Sequence, residues 1–296
     1  MPSWQEVQKE ILYLSSLNPF DMVRRKYLTS LAETTGRNII CYYSGWLQKN
    51  CQGSISEEDM NAFMSVIHGL DKTKGLDLLL HTPGGDLTAT EALINYLKKM
   101  FQKDIRAIIP QISMSAGTVL ACSCKEIIMG KQSSLGPIDP QFGGIPAQGI
   151  IEEFEEAIAS IEKNPASIPV WQTLLAKYHP TFLGEAQKAI ILSKEMCSFA
   201  LKDNMFYSDT QKNKKVKKIV DWLSSHGKSK THSRHFDFET CKTQGLKVKR
   251  LEDDQELQDA VLTLHHAYMQ TFSNTTAAKI VENQNGQSMI FNQRIA

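Results

Sequence analysis

The stretch LDLLLHTPGGDLTATEALINYLKKMFQKDIRAIIPQISMSAGTVLACSCKEIIMG, residues 76–130, decides the fold. It holds two apolar runs of strand length, LDLLL at 76–80 and IRAII at 105–109. Each empties into a punctuated turn, HTPGG after the first and QISMSAGT after the second. Between them Ala92, Leu93, Tyr96, Leu97 and Met100 recur at three- and four-residue spacing, the period of a helix with one apolar face. The unit reads strand, turn, helix, strand, turn, helix, and the predicted class is α/β with a mainly parallel sheet. In such a sheet both turns leave by the same edge, which is where ligands usually bind.

On the N-terminal side, NIICYYS at 38–44 is a strand rich in β-branched and aromatic residues. GSISEEDM then opens a helix, with Ser56 as its expected cap, Met60, Phe63, Met64 and Ile67 on its apolar side and Gly69 at its end. Residues 4–17 form an amphipathic helix with Val7, Ile11, Leu14 and Leu17 on one side; its polar side is not strongly basic, so it covers a sheet face or a partner subunit rather than a membrane. On the C-terminal side follow a strand at 125–129, a charged helix at 150–165, a connector from Pro165 to Pro180 and a long helix at 183–203. A helix at 238–244 ends at Gly245 before a short strand at 246–248. Leu257, Val261, Leu264 and Tyr268 make the packing stripe of the last clear helix, with His265 and His266 capping or flanking it.

A chain of 296 residues can bury one sizeable core, or a core with an appendage, and a formal charge of +1 points to neither an acidic nor a nucleic-acid partner. Five lysines crowd into 212–218, yet Val216, Ile219, Val220 and Leu223 repeat beneath them with no interleaved aromatic residue, the pattern of a solvated helix face. The six cysteines, at 41, 51, 122, 124, 197 and 241, form no CxxC pair and read as reduced core thiols of a cytoplasmic protein. No apolar run reaches the length of a membrane span and no leader pattern opens the chain, so no integral membrane segment is expected.

The chemistry concentrates in the two turns. AGTVLACSC at 116–124 is made of small residues that let a helix approach a sheet, and a serine beside its start has amide donors at hand for a developing negative charge. Of the hydroxyls Ser113, Ser115 and Thr118, Ser115 falls at the helix mouth. Two glycines next to a rigid proline in TPGG suit a backbone that must approach a bound peptide closely. His81 and Asp86 flank that turn, but nothing at ligand spacing completes a metal set, and the turn lacks the GxGxxG spacing for a dinucleotide. No metal or cofactor is expected.

The TPGG turn followed by SMSAGT resembles the nucleophile and oxyanion elements of the Clp protease and signal-peptide peptidase superfamily. LDLLLHTPGG with the later LGPIDPQFGG resembles in particular the serine dehydrogenase proteinase family. The resemblance runs from TGRNIICYYSG at Thr35 to AAKIVENQNG at Ala277, and the order of the motifs carries it. It implies a Clp/crotonase-like fold with extra peripheral helices, divided as a helical segment at 1–34, a catalytic domain at 35–273 and a polar tail at 274–296. It further implies Ser115 as nucleophile, the Gly85 and Ala116 amides as oxyanion donors, Pro83, Gly84 and Gly117 as turn-shaping residues, and a homo-oligomer acting on peptide or unfolded protein.

The general base stays open. By resemblance to Clp proteases a histidine is expected just before the proline- and glycine-rich segment, and matching Gly143 and Gly144 puts Asp139 there; an aspartate with a pKa near 4 is a poor base for a serine hydroxyl. Signal-peptide peptidases use a serine and lysine pair, which makes Lys163 a candidate if desolvated, ahead of Lys177, Lys188 and Lys194. In the histidine-rich segment 226–251, His232 is the alternative, since an imidazole needs less tuning than an amine. His81 and Asp139 are expected to line the site. The function so read is serine-dependent peptide-bond hydrolysis; the alternative is an inactive scaffold or peptide-binding module of the same fold.

Overall fold

A computed structural model describes residues 2–14, 18–225 and 231–293. Its centre is a seven-stranded sheet in the order β11-β10-β1-β2-β3-β5-β9. Strands β1 (Asn38–Ser44), β2 (Leu76–His81), β3 (Ile105–Ile109), β5 (Glu126–Met129) and β9 (Val248–Arg250) run parallel, with Ile40 opposite Leu78, Leu78 opposite Ala107 and Ala107 opposite Ile127. Every residue of β1 and β2 is buried, as a strand covered on both faces requires. Strand β10 (Ala277–Asn283) pairs antiparallel with β1, and β11 (Ser288–Asn292) with β10.

The sheet separates two apolar layers. One face carries Tyr42, Leu78, Ala107 and Ile127 against α3 (Asp59–Ile67), α4 (Leu87–Phe101), α5 (Ala116–Cys122), α8 (Phe182–Asp203) and α9 (Lys212–Leu223). The opposite face carries Cys41, Leu79, Ile108 and Ile128 against α2 (Pro19–Thr35) and the last helix, α11 (Gln255–Asn274). This is the α/β, mainly parallel class expected of the sequence, and alternate residues along each strand feed the two layers. Helix α1 (Trp4–Tyr13) lies outside α2 and α11 and buries Val7 and Ile11 beside Val23 and Ala267. Of its expected stripe, Leu17 lies outside the described residues. Because Leu28 and Leu31 of α2 sit in the same layer as Tyr268 and Phe272, the N-terminal helices share the core of the sheet.

Three expectations are corrected. Residues 277–292 are not a polar tail: they form β10 and β11, and all seven residues of β10 are buried. The polar side chains of β10 are buried because each meets a partner, Lys279 the Asp59 carboxylate at 2.5 Å, Glu282 the Arg24 guanidinium at 3.0 Å and Asn283 the Val66 carbonyl at 2.6 Å. Ser56 does not cap α3; its own amide donates to the Asp59 carboxylate at 3.0 Å, so the acid organises the turn ahead of the helix. The connector at 165–180 contains a helix, α7 (Ile168–Leu175), whose Pro169 occupies the first turn, where its missing N–H costs nothing.

Outside the sheet, α6 (Ala147–Lys163) packs on α8 through Ala147, Ile150 and Ala186. Helix α10 (Phe238–Gln244) ends at Gly245 in the left-handed conformation, as expected, although β9 starts two residues later than the expected strand. No described helix is long and apolar enough to cross a membrane.

Candidate active site

The turns after β2 and β3 meet at the C-terminal edge of the sheet. The Thr82 amide donates to the Ile112 carbonyl at 3.1 Å, and the Met114 amide donates to the Thr82 carbonyl at 3.0 Å, so the TPGG and SMSAGT turns are laced side by side. Gly84 makes this approach possible. It has a φ of 92°, and a Cβ there would lie 2.5 Å from the Met114 carbonyl and 2.7 Å from the Ser115 Cβ. Gly85, at φ 150°, lies so close to the Ile55 backbone that a side chain would collide with it. The bridge to Ile55 uses the Gly84 carbonyl and the Asp86 amide, which leaves the Gly85 N–H out of the ladder. Asp86 in turn caps α4 through the Ala89 amide at 2.8 Å.

Ser115 is half-buried at the mouth of α5 with φ 53° and ψ −121°, an outlier for a residue with a side chain. Such strain survives only where neighbours hold it, and it is a feature of functional turns. Here the amides of Gly117 and Thr118 close onto the carbonyls of Met114 and Ser115, both at 2.8 Å. Gly117 also sits against Thr82 and Ser113, where a Cβ would meet both within 2.6 Å. A cavity of about 560 Å³ opens over the turn. Pro83, Gly84, Gly85, Ser115, Ala116 and His232 are among the residues that line it. Val119, Ile138, Phe142, Ala189 and Leu192 make the remainder mostly apolar.

Asp139 stands beside His232. It is 2 % exposed, and its Oδ1 lies 2.8 Å from His232 Nδ1. Its loop is gripped from two sides: the Ile138 amide donates to the Leu223 carbonyl at 3.0 Å, and Ser193 Oγ of α8 donates to the Ile138 carbonyl at 2.6 Å. The residue placed by resemblance at the histidine position is thus the carboxylate partner of a histidine that comes 93 residues later. The pairing was legible only in fragments. GPIDP sets an acid in a stiff, apolar turn that demands a polar partner, and the spacing of HSRH does not say which ring supplies it.

The other expected site residues fall elsewhere. His81 does not line the cavity: it is fully buried at the end of β2, with Nδ1 3.0 Å from the Ser44 carbonyl and Nε2 3.1 Å from the Gln111 side-chain amide. Burial draws its pKa down to about 4 against both hydrogen bonds, so it is a neutral core imidazole stacked on Tyr43. Lys163 ends α6, exposed and outside the cavity, and lacks the desolvation an amine base needs. Lys177, Lys188 and Lys194 are also exposed and absent from its lining. Among the described residues no group of three or more histidines, cysteines or acids is disposed to hold a metal ion. All six cysteines are free thiols, five of them buried.

A family model described as ClpP-like SDH-type serine proteinase matches residues 45–287. Among curated proteins, an uncharacterised protein of Methanocaldococcus jannaschii is 32 % identical over 216 residues, covering 73 % of this chain and 66 % of its own length. A second uncharacterised protein of the same organism is 30 % identical over 172 residues, 58 % of this chain and 53 % of its own. The chain therefore spans between about half and two thirds of the curated relatives it matches.

Proposed function

The chain belongs to the ClpP-like SDH-type serine proteinase family, and from that premise we propose that it is a serine peptidase working through Ser115, His232 and Asp139. The observation that carries the reading is the 2.8 Å contact between His232 Nδ1 and Asp139 Oδ1 in the wall of the cavity onto which Ser115 opens. Asp139 holds the imidazole with its Nδ1 protonated, which leaves Nε2 to take the proton from Ser115 Oγ as that oxygen attacks the scissile carbonyl. The tetrahedral anion is received by the Gly85 and Ala116 amides, on residues that line the same cavity as Ser115. His232 then passes its proton to the leaving amine, and water attacks the acyl-serine ester by the same route in reverse. The acid precedes the histidine in the chain, so the order is serine, aspartate, histidine.

The substrate class we assign is extended or unfolded peptide, which suits an open cavity with apolar walls and a glycine-lined backbone on one side. The exposed Ile158, Val170, Ile191 and Phe199 of the outer helices suit burial between copies, and the free cysteines suit a reducing compartment such as the cytoplasm. Fluorophosphonate labelling followed by peptide mapping tests the nucleophile. Label on Ser115, and casein cleavage that disappears in a folded Ser115→Ala protein, are the expected results. Label on a different serine rejects the assignment, and peptide binding without serine-dependent cleavage replaces the enzyme by a binding module.

A further inference from the structure

Three arms have to meet for the proposed chemistry, and they come from residues 115, 139 and 232. All of them are tied to one two-residue strand, β6 (Ser134–Leu135). On one edge β6 pairs in parallel with β4 (Ile112–Ser113), which ends two residues before Ser115. On the other edge Leu135 and Phe236 exchange backbone hydrogen bonds of 3.0 and 2.8 Å, four residues beyond His232. The chain leaving β6 reaches Asp139 four residues later, and on the way Gly136 is fastened to α5. The Gly136 amide donates to Thr118 Oγ1 at 3.0 Å, and that hydroxyl lies 2.9 Å from the Ser113 carbonyl.

The arm that carries His232 runs along the surface. Its neighbours Thr231, Ser233 and Arg234 are exposed, and the Leu135 bridge is its backbone link to the sheet. Beside the His232–Asp139 contact, a side-chain bond supplements that bridge: Ser134 Oγ, on a residue 7 % exposed, lies 2.8 Å from Nδ1 of His235. Serine 134 is fixed in turn by its amide, which donates to the Gln111 carbonyl at 2.8 Å. A short segment held by a two-bond bridge can still twist about it, and a second attachment one residue away removes that freedom.

Resting on the Ser115, His232 and Asp139 reading, we propose that Ser134 and His235 are positioning residues whose mutual hydrogen bond sets the reach of His232 toward Ser115. What the bond requires of position 235 is a hydrogen-bonding partner for the Ser134 hydroxyl, accepting or donating, not a titrating ring. An asparagine can supply either its side-chain oxygen or its NH2 near the place of Nδ1. The pair is therefore distinguishable from a second serine and histidine catalytic dyad, which would need the imidazole itself.

The test is the rate at which a fluorophosphonate labels Ser115 in the full chain, with kcat and KM for a fluorogenic peptide measured beside it. Ser134→Ala and His235→Ala should each slow labelling and lower kcat by about three- to tenfold, the size of one hydrogen bond, with KM unchanged. The double variant should be no slower than either single one, because the two residues share one interaction. His235→Asn should recover most of the rate. Wild-type labelling in His235→Ala, additive losses in the double variant, or His235→Asn as slow as His235→Ala would each overturn the proposal. Should Ser134→Ala fail to fold, the two His235 variants alter an exposed side chain and decide the matter alone. Label persisting in Ser115→Ala would instead reject the nucleophile assignment, so the two failures are told apart.

Discussion

In the proposed triad a single proton between Asp139 and His232 decides whether Ser115 is activated. The carboxylate is almost wholly buried and lies 2.8 Å from His232 Nδ1, so in the proposed mechanism the ring keeps a hydrogen there and presents Nε2 as the base. An asparagine of the same size would turn its NH2 toward Nδ1 and favour the opposite tautomer. Asp139→Asn is therefore expected to fold normally, to keep peptide KM within a few-fold and to lose kcat by about 10³- to 10⁴-fold. Steady-state kinetics with unfolding curves of both proteins check this, and a loss under tenfold would remove Asp139 from the mechanism. The roles proposed for Ser115 and Gly85 can be read from the sequence because they rest on neighbours a few residues away, in SMSAGT and TPGG. The role proposed for Asp139 cannot, because it is defined by a ring 93 residues distant. His81 misled for the complementary reason: at the end of LDLLLH it stands next to the motif in sequence, while the strand turns it into the core.

Among the elements, β10 shows how composition hides a strand. AAKIVEN puts polar residues at three of its seven positions, Lys279, Glu282 and Asn283, as an exposed strand could, yet it lies inside the sheet between β1 and β11 with every residue buried. Its lysine is the instructive case. Lys279 Nζ is 2.5 Å from Asp59 Oδ1 and 3.0 Å from the Ser54 carbonyl, while the other carboxylate oxygen of Asp59 accepts from Tyr42 OH at 2.7 Å. Removing the cation alone leaves Asp59 charged and buried, so Lys279→Met should destabilise the chain by about 3–5 kcal/mol. Replacing Asp59 by asparagine as well keeps an acceptor for Tyr42 and removes the stranded charge, and Lys279→Met with Asp59→Asn should recover most of the loss. Urea denaturation of the two singles and the double is the measurement. A double variant as unstable as the sum of its singles would mean that the ion pair is not what makes β10 buriable. The parallel strands β2 and β3 were readable without such knowledge, because burial on both faces forces nearly continuous apolar runs, interrupted here by the paired Asp77 and Arg106.

Across the whole molecule, the layer between the sheet and α11 carries a set of neutral imidazoles whose protonation the fold opposes. His81 stacks on Tyr43 at 5.4 Å, His265 of α11 lies 5.4 Å from His81, and Tyr43 itself stacks on Tyr268 at 4.0 Å. Burial draws the pKa of His81 down to about 4 and that of His265 well below the usual imidazole value, the latter helped by the nearby His81 and His266. In the unfolded chain these rings take up protons near pH 6.5, while the folded chain resists. The stability they contribute is thus fully present above about pH 6.5 and is lost as the pH falls toward the folded values, by about 3 kcal/mol for His81 once pH 4 is reached. Unfolding free energy measured by urea between pH 7 and pH 5, above the range in which ordinary carboxylates titrate, should fall with a slope that shrinks in His81→Gln and shrinks further with His265→Gln added. Stability that is flat or rising as the pH drops through that window would show that the rings are charged or solvated in the fold. Because these histidines pack on β1 and β2 at the end from which the TPGG turn leaves, acid should loosen the sheet layer and the site together. Fluorophosphonate labelling of Ser115 that outlasts the loss of structure on acidification would refute that link.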